Sequence, residues 1–99
     1  MKTIDNISLV TYPSCDIVKQ FNFSTEHEDG TFNFSFKYLN DVWNCYVTLP
    51  DGSIRQCGVY PNVISWTGYP DYGILFSTDL KSITYDSLFL TELYIIKWV

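Results

Sequence analysis

Residues 31–60 read TFNFSFKYLNDVWNCYVTLPDGSIRQCGVY. Phe32, Phe34, Phe36 and Tyr38 fall at alternate positions, with Asn33, Ser35 and Lys37 between them. A strand points successive side chains to opposite faces, so this is a strand with one buried face. Leu39-Asn40-Asp41 supplies a turn, because short polar side chains bond their own backbone there. Trp43, Cys45, Val47 and Leu49 form a second alternating set. Pro50-Asp51-Gly52 is a second turn: proline presets a negative φ, Asp caps, and Gly accepts a positive φ. Ser53 to Tyr60 returns as a third strand. Three strands joined by two tight turns make a strong hairpin signal without any chemistry in it.

The segments on either side extend the same pattern. In residues 2–12, Ile7 and Leu9 point one way and Ile4 is out of phase, which reads as a short strand ended by Pro13-Ser14. Residues 17–24, IVKQFNFS, alternate as a strand with Phe21 and Phe23 toward the core. Thr25 to Gly30 is a polar hairpin connection ending in Asp-Gly. Residues 61–72, PNVISWTGYPDY, read as an ordered loop holding a short strand at Val63 to Trp66, and Gly73 to Ser77 is a short apolar strand. Residues 78–87 have room for one helical turn, with no convincing cap. From Leu88 to Val99, Leu88, Leu90, Tyr94, Ile96 and Trp98 share one parity, while Phe89, Leu93 and Ile95 share the other. Apolar residues on both faces mark either a central strand covered on both sides or an interface strand. The expected fold is all-β, a small antiparallel sandwich or partly open barrel of about seven strands, in one domain spanning residues 1–99.

Composition narrows the function classes. Aromatic residues make up 18% of the chain, enough large buried area that stability does not require a disulfide. Charged residues make up 17%, below the roughly 25% typical of a soluble domain. That shortfall fits a surface partly covered by a partner or by copies of the chain. The net charge is −5, and the six Lys and Arg form no basic stripe, which disfavours nucleic acid as a partner. The N-terminus has no signal-peptide pattern, and no apolar run reaches the length of a membrane span, so no membrane anchor is expected.

Chemistry-bearing residues are sparse. Cys15, Cys45 and Cys57 lack metal-ligand spacing and read as reduced thiols. A disulfide is the sharper alternative: a three-residue loop at Pro50-Asp51-Gly52 places Cys45 opposite Cys57, where a bond between directly paired strands is strained, whereas a two-residue loop places Cys45 opposite Gly58. His27, the only histidine, lies among Glu26, Glu28 and Asp29. It reads as part of a solvated turn; one loop does not supply a convergent set of metal ligands or an oriented base. No serine or cysteine has a legible base, the five glycines are dispersed, and Asp51, Asp71, Asp79 and Asp86 sit in expected turns. The expectation is a non-enzyme without cofactor or metal. The candidate interface residues are Trp66, Tyr69, Tyr72 and Trp98, because large rings on a loop and a terminal strand can stack on a sugar or anchor a protein contact. The bland alternative has the loop rings folded back over the sandwich end.

Taken together, residues 17–99 carry an ordered set of features. They are an aromatic strand ending near Asn40, Trp43 on the next strand, the Asp51-Gly52 hairpin, Gly58-Val59, the strand Gly73-Ile74-Leu75-Phe76, and the terminal Leu93-Tyr94-Ile95. In this order the chain resembles the small baseplate plug proteins of contractile-tailed bacteriophages. Residues 1–16, an N-terminal strand extension, and the three cysteines depart from that family's pattern. The resemblance implies a structural virion part, made in the bacterial host cytoplasm and located in the tail baseplate. It also implies contacts with hub, spike or tube proteins, in multiple copies. Two other classes compete: a carbohydrate- or receptor-binding β-module using the Trp66–Tyr72 loop, and a small enzyme or immunity-type inhibitor. An acidic inhibitor would bind a basic target with a strongly salt-dependent on-rate.

Overall fold

A computed structural model describes residues 4–67 and 72–98. Eight strands form two four-stranded antiparallel sheets, packed as a sandwich around the phenylalanine strand. The first sheet is a meander of β2 (Gln20–His27), β3 (Gly30–Leu39), β4 (Val42–Thr48) and β5 (Ile54–Gly58). The second has the order β1 (Ile4–Val10), β8 (Glu92–Trp98), β7 (Tyr72–Ser77) and β6 (Ile64–Trp66). The closing strand therefore lies in the middle of its sheet, paired with the N-terminal strand on one side and with β7 on the other. That placement answers the double-sided apolar pattern of the last segment. The N-terminal extension is a full member of the sandwich.

Phe32, Phe34 and Phe36 have no exposed surface. The Phe36 ring meets Phe21, Phe23, Trp43 and Phe76, Phe34 stacks on Phe23, and Phe32 meets Tyr72 edge-on. Burying each such ring stabilises by roughly 1.5–3 kcal/mol. Across the sandwich, Val10, Ile74, Phe76, Leu93 and Ile95 supply the opposing layer.

The turns follow from their residues. Asn40 and Asp41 both take positive φ, 53° and 63°, as a two-residue hairpin of the primed type requires. The Pro50-Asp51-Gly52 loop has three residues: Leu49 N–H donates to Ser53 O at 2.8 Å, and Gly52 N–H donates to Leu49 O at 2.9 Å. Gly52 takes φ 90°, and the Asp51 carboxylate accepts from the Ser53 amide and hydroxyl. This loop length sets the three-residue register, so Cys45 lies directly opposite Cys57. Both are free and buried; Cys15 is free and exposed. Their mutual hydrogen bond, then burial, pushes the Cys45 thiol up, while the same bond draws Cys57 down.

Three readings are corrected. β2 runs to His27, leaving only Glu28 and Asp29 as the turn, with Gly30 at φ 130°. A Cβ on Gly30 would stand 2.9 Å from the Pro50 ring, so only glycine fits where the two hairpin ends meet. His27 is accordingly not solvated. Its side chain is 3% exposed and packs edge-on against Phe32 and Tyr72. Finally, residues 88–90 do not belong to the closing strand: they complete a 3₁₀ helix, Tyr85–Leu90, that begins in the segment with room for a helical turn. The cap that the sequence does not advertise is a reciprocal one: Thr84 N–H donates to Ser87 Oγ at 2.7 Å, and Ser87 N–H to Thr84 O at 3.3 Å. Leu88 plugs the core, Tyr85 stacks on Trp43 at 5.7 Å, and Tyr85 donates to Ile17 O.

The long connection from β1 to β2 is held by Tyr12. Its ring meets Phe23, Phe36 and Phe89, and its hydroxyl lies 2.8 Å from Thr91 Oγ1. The Thr91 hydroxyl donates to Leu88 O, so Tyr12 is the donor to Thr91. Burial pushes the Tyr12 phenol far above its ordinary range.

At one end of the sandwich a polar cluster ties the two sheets together. Lys97 Nζ lies 2.7 Å from Asp29 Oδ2, and Tyr72 OH donates to the same oxygen at 2.6 Å. Asn6 Nδ2 donates to Glu28 Oε1 at 2.7 Å. The β2–β3 turn thus holds β1, β7 and β8. The bond from Lys97, then that from Tyr72, draws the Asp29 carboxyl below its ordinary 3.8; the same pairing raises Lys97 above 10.5. A depressed carboxyl contributes stability that is present above its unfolded value and lost as pH falls through the folded one. The raised lysine contributes below 10.5 and loses that contribution as pH rises through its folded value. The expected result is a melting temperature that falls on acidification below about pH 4, with Asp29→Asn flattening that acid limb. Thermal unfolding followed by circular dichroism at a series of pH values reads this directly.

Candidate functional site

Strand register decides which side chains face outward, and the two outer faces differ in kind. On the first sheet, positions opposite the buried phenylalanines carry Gln20, Asn22, Ser24 and Glu26 on β2 and Thr31, Asn33, Ser35 and Lys37 on β3. β4 and β5 add Asn44, Tyr46, Thr48, Ile54 and Gln56. This is the polar alternation of a sheet with one wet face.

The second sheet breaks that rule. Its outward positions carry Ile4, Ile7 and Leu9 on β1, Tyr94, Ile96 and Trp98 on β8, Leu75 on β7, and Ile64 and Trp66 on β6. Ile7, Leu9 and Trp66 are 54%, 60% and 52% exposed. Ile96, at the centre of the face, is buried by its neighbours. Among the described residues, Glu92 is the only charged side chain at the outward paired positions, and it accepts a hydrogen bond from Tyr94 OH. The outward face of this sheet is therefore predominantly apolar, whereas that of the first sheet is polar.

Local structure explains how the face is assembled. The pairing of β1 with β8 shifts between Ile4 and Asn6, leaving Asp5 as a bulge. The extra residue brings Ile4, three positions before Ile7, onto the same face, opposite Trp98. This is the physical reason for the imperfect alternation of the first strand. On the other side, Trp66 pairs with Gly73, and a Cβ on Gly73 would stand 2.8 Å from both the Trp66 ring and Ile64. Without it the Trp66 ring lies across the strand and meets Trp98 edge-on at 4.8 Å. Gly73→Ala is therefore expected to push the Trp66 ring off the sheet and to cost about 1–3 kcal/mol by overpacking. Tryptophan emission would shift with it, and thermal melts give the stability change.

The four sequence-derived interface residues separate. Trp66 and Trp98 come together on the outward face. Tyr72 does not join them: it is 2% exposed, packs edge-on against Phe32, and reaches Asp29. Burial first, and the bond to Asp29 second, push its phenol far above the ordinary range. Tyr69 lies outside the described residues. Sequence reasoning passed over Ile4, Ile64, Leu75 and Tyr94; the signal was the outward parity, which needs the register to be read. Among the described residues there are clefts of about 280 and 360 Å³, the larger reaching Ser77 and Glu92 at one end of this face. The smaller is lined by Tyr38, Trp43, Tyr60 and Lys81 around the β3–β4 turn, and neither involves Trp66, Tyr72 or Trp98. Among the described residues no three His, Cys, Asp or Glu converge as a metal site, and no helix is long and apolar enough to cross a membrane.

Comparison with known proteins gives no match to this chain, whether among family models, curated proteins or solved structures.

Proposed function

We propose that this protein is a structural component that works by assembly, with the outward face of the β1-β8-β7-β6 sheet as its contact surface. The contrast between the two outer faces carries the reading. One chain builds a polar face and an apolar face on the same sandwich, and apolar area exposed to water is a cost that a partner removes. The low share of charged residues points the same way.

The sequence resemblance supplies the setting: a plug in the baseplate of a contractile phage tail, in contact with hub, spike or tube proteins. A small aromatic sandwich with one apolar outer face suits that role, since assembly covers the face and gives each copy a fixed orientation. The test is to purify tail particles from the source of the chain on a density gradient and to quantify its peptides by mass spectrometry. Co-sedimentation at a constant ratio to tail proteins is the expected result. Recovery only among free, low-mass proteins would overturn the placement in a tail. The ligand-binding alternative relied on a ring-bearing loop at Trp66–Tyr72, and the core position of Tyr72 weighs against it.

A further inference from the structure

We infer that the outward face of the second sheet binds a second copy of this chain, face to face about a two-fold axis. The inference rests on the assembly reading above and names the occupant of the same surface.

Three observations favour a copy over a charged partner. The first is charge. The molecule carries −5 overall, yet among the described residues Glu92 is the only charged side chain at the outward paired positions of this face, with Asp5 exposed at the β1 bulge on its edge. Recognition of a basic partner would use the acidic side chains, and these lie on other surfaces, at Glu26, Glu28, Asp51 and Asp86. A nearly uncharged face set against its own copy buries little charge, so the desolvation penalty is small.

The second is shape. The face is a sheet surface flanked by a three-residue edge strand, β6, and by β1 with its bulge. Sheet faces stack about 10 Å apart with interdigitating side chains, and a two-fold axis presents the same patch to itself. The exposed Ile7 and Leu9 on β1 and the exposed Trp66 on β6 lie on opposite flanks of the half-buried centre.

The third is area. Ile4, Ile7, Leu9 and Trp66 are each about half exposed and Ile64, Leu75, Tyr94 and Trp98 less so; at roughly 150–250 Å² per large side chain they leave on the order of 600 Å² to be covered. Two copies then bury about 1,200 Å², the lower end of the range for specific stable interfaces. A dimer of modest affinity follows, one that persists at high local concentration and yields to a larger partner surface during assembly.

The test is sedimentation velocity of the purified full-length chain across a range of concentrations, with Leu9→Lys/Trp66→Lys as the comparison. Both substituted positions are already half exposed, so circular dichroism is expected to show an unchanged fold. Wild type is expected to shift from monomer to dimer with concentration. The double variant is expected to associate at least 100-fold more weakly, about 2.8 kcal/mol, in keeping with the loss of an apolar anchor on each flank. A wild type that stays monomeric throughout, or a dimer that survives the double substitution, overturns the self-pairing. Neither result touches the assembly reading, which the tail-particle measurement decides separately. If the double variant proves unfolded, Ile7→Lys alone, read in the same way, takes its place.

Discussion

Replacing Phe36 by alanine is expected to cost the sandwich about 3–5 kcal/mol, the range for deleting a fully buried aromatic ring. Phe36 has no exposed surface, and its ring meets Tyr12, Phe21, Phe23, Phe34, Trp43 and Phe76. These neighbours come from β2, β3, β4, β7 and the β1–β2 connection, so both sheets lose contacts at once. Close packing on every side leaves little room for collapse, and the cavity term is then large. At about 4–8 °C per kcal/mol for a domain of this size, the melting temperature should drop by at least about 12 °C. Total stabilities of small domains run to about 5–15 kcal/mol, so the variant sits near the threshold of folding. Denaturant unfolding followed by tryptophan emission measures the change. A loss under about 1 kcal/mol would mean the phenylalanine strand is not the centre of the core.

Trp43→Ala is expected to cost a similar amount, about 3–5 kcal/mol, for a different mixture of reasons. Its ring stacks on Tyr85 and meets Phe21, Phe36 and Tyr38 edge-on. Its indole N–H donates to Thr84 O at 3.1 Å, at the start of the 3₁₀ helix. Truncation removes both the packing and the partner of a carbonyl. Trp43→Phe separates them: it keeps most of the ring and loses the bond, and should cost less, about 1–3 kcal/mol. Because Phe36 and Trp43 touch, the double variant Phe36→Ala/Trp43→Ala should depart from additivity by about 0.5–3 kcal/mol. Amide exchange over residues 84–90 should accelerate in Trp43→Ala more than in Phe36→Ala, since only Trp43 bonds the helix start.

The strand pattern was legible because it rests on local rules. Phe32, Phe34 and Phe36 at alternate positions, Asn40-Asp41 and Pro50-Asp51-Gly52 each specify their own geometry without distant help. What escaped depends on partners far along the chain. The cap of the 3₁₀ helix is an exchange between Thr84 and Ser87 whose carbonyl is finished by Trp43 from another strand. His27 looked solvated because its neighbours in sequence are acidic; its neighbours in space are Phe32 and Tyr72. Tyr72 reads as a loop ring in sequence because its burial follows only from the register of β7 against β8. The apolar outer face was half visible. The double-sided pattern of the last strand pointed to it, but the contributions of Ile4, Ile64 and Leu75 follow only from the bulge and the strand order.

The proposed role in assembly rests on the outward face of the second sheet. The most direct measurement is incorporation. Tagged wild type and the Leu9→Lys/Trp66→Lys variant are expressed in the source of the chain during particle production, and tail particles are separated from free protein by sedimentation. The account predicts wild type in the particle fractions and a folded variant left in the soluble pool. Equal incorporation of the variant would contradict it, and so would absence of both from every particle fraction.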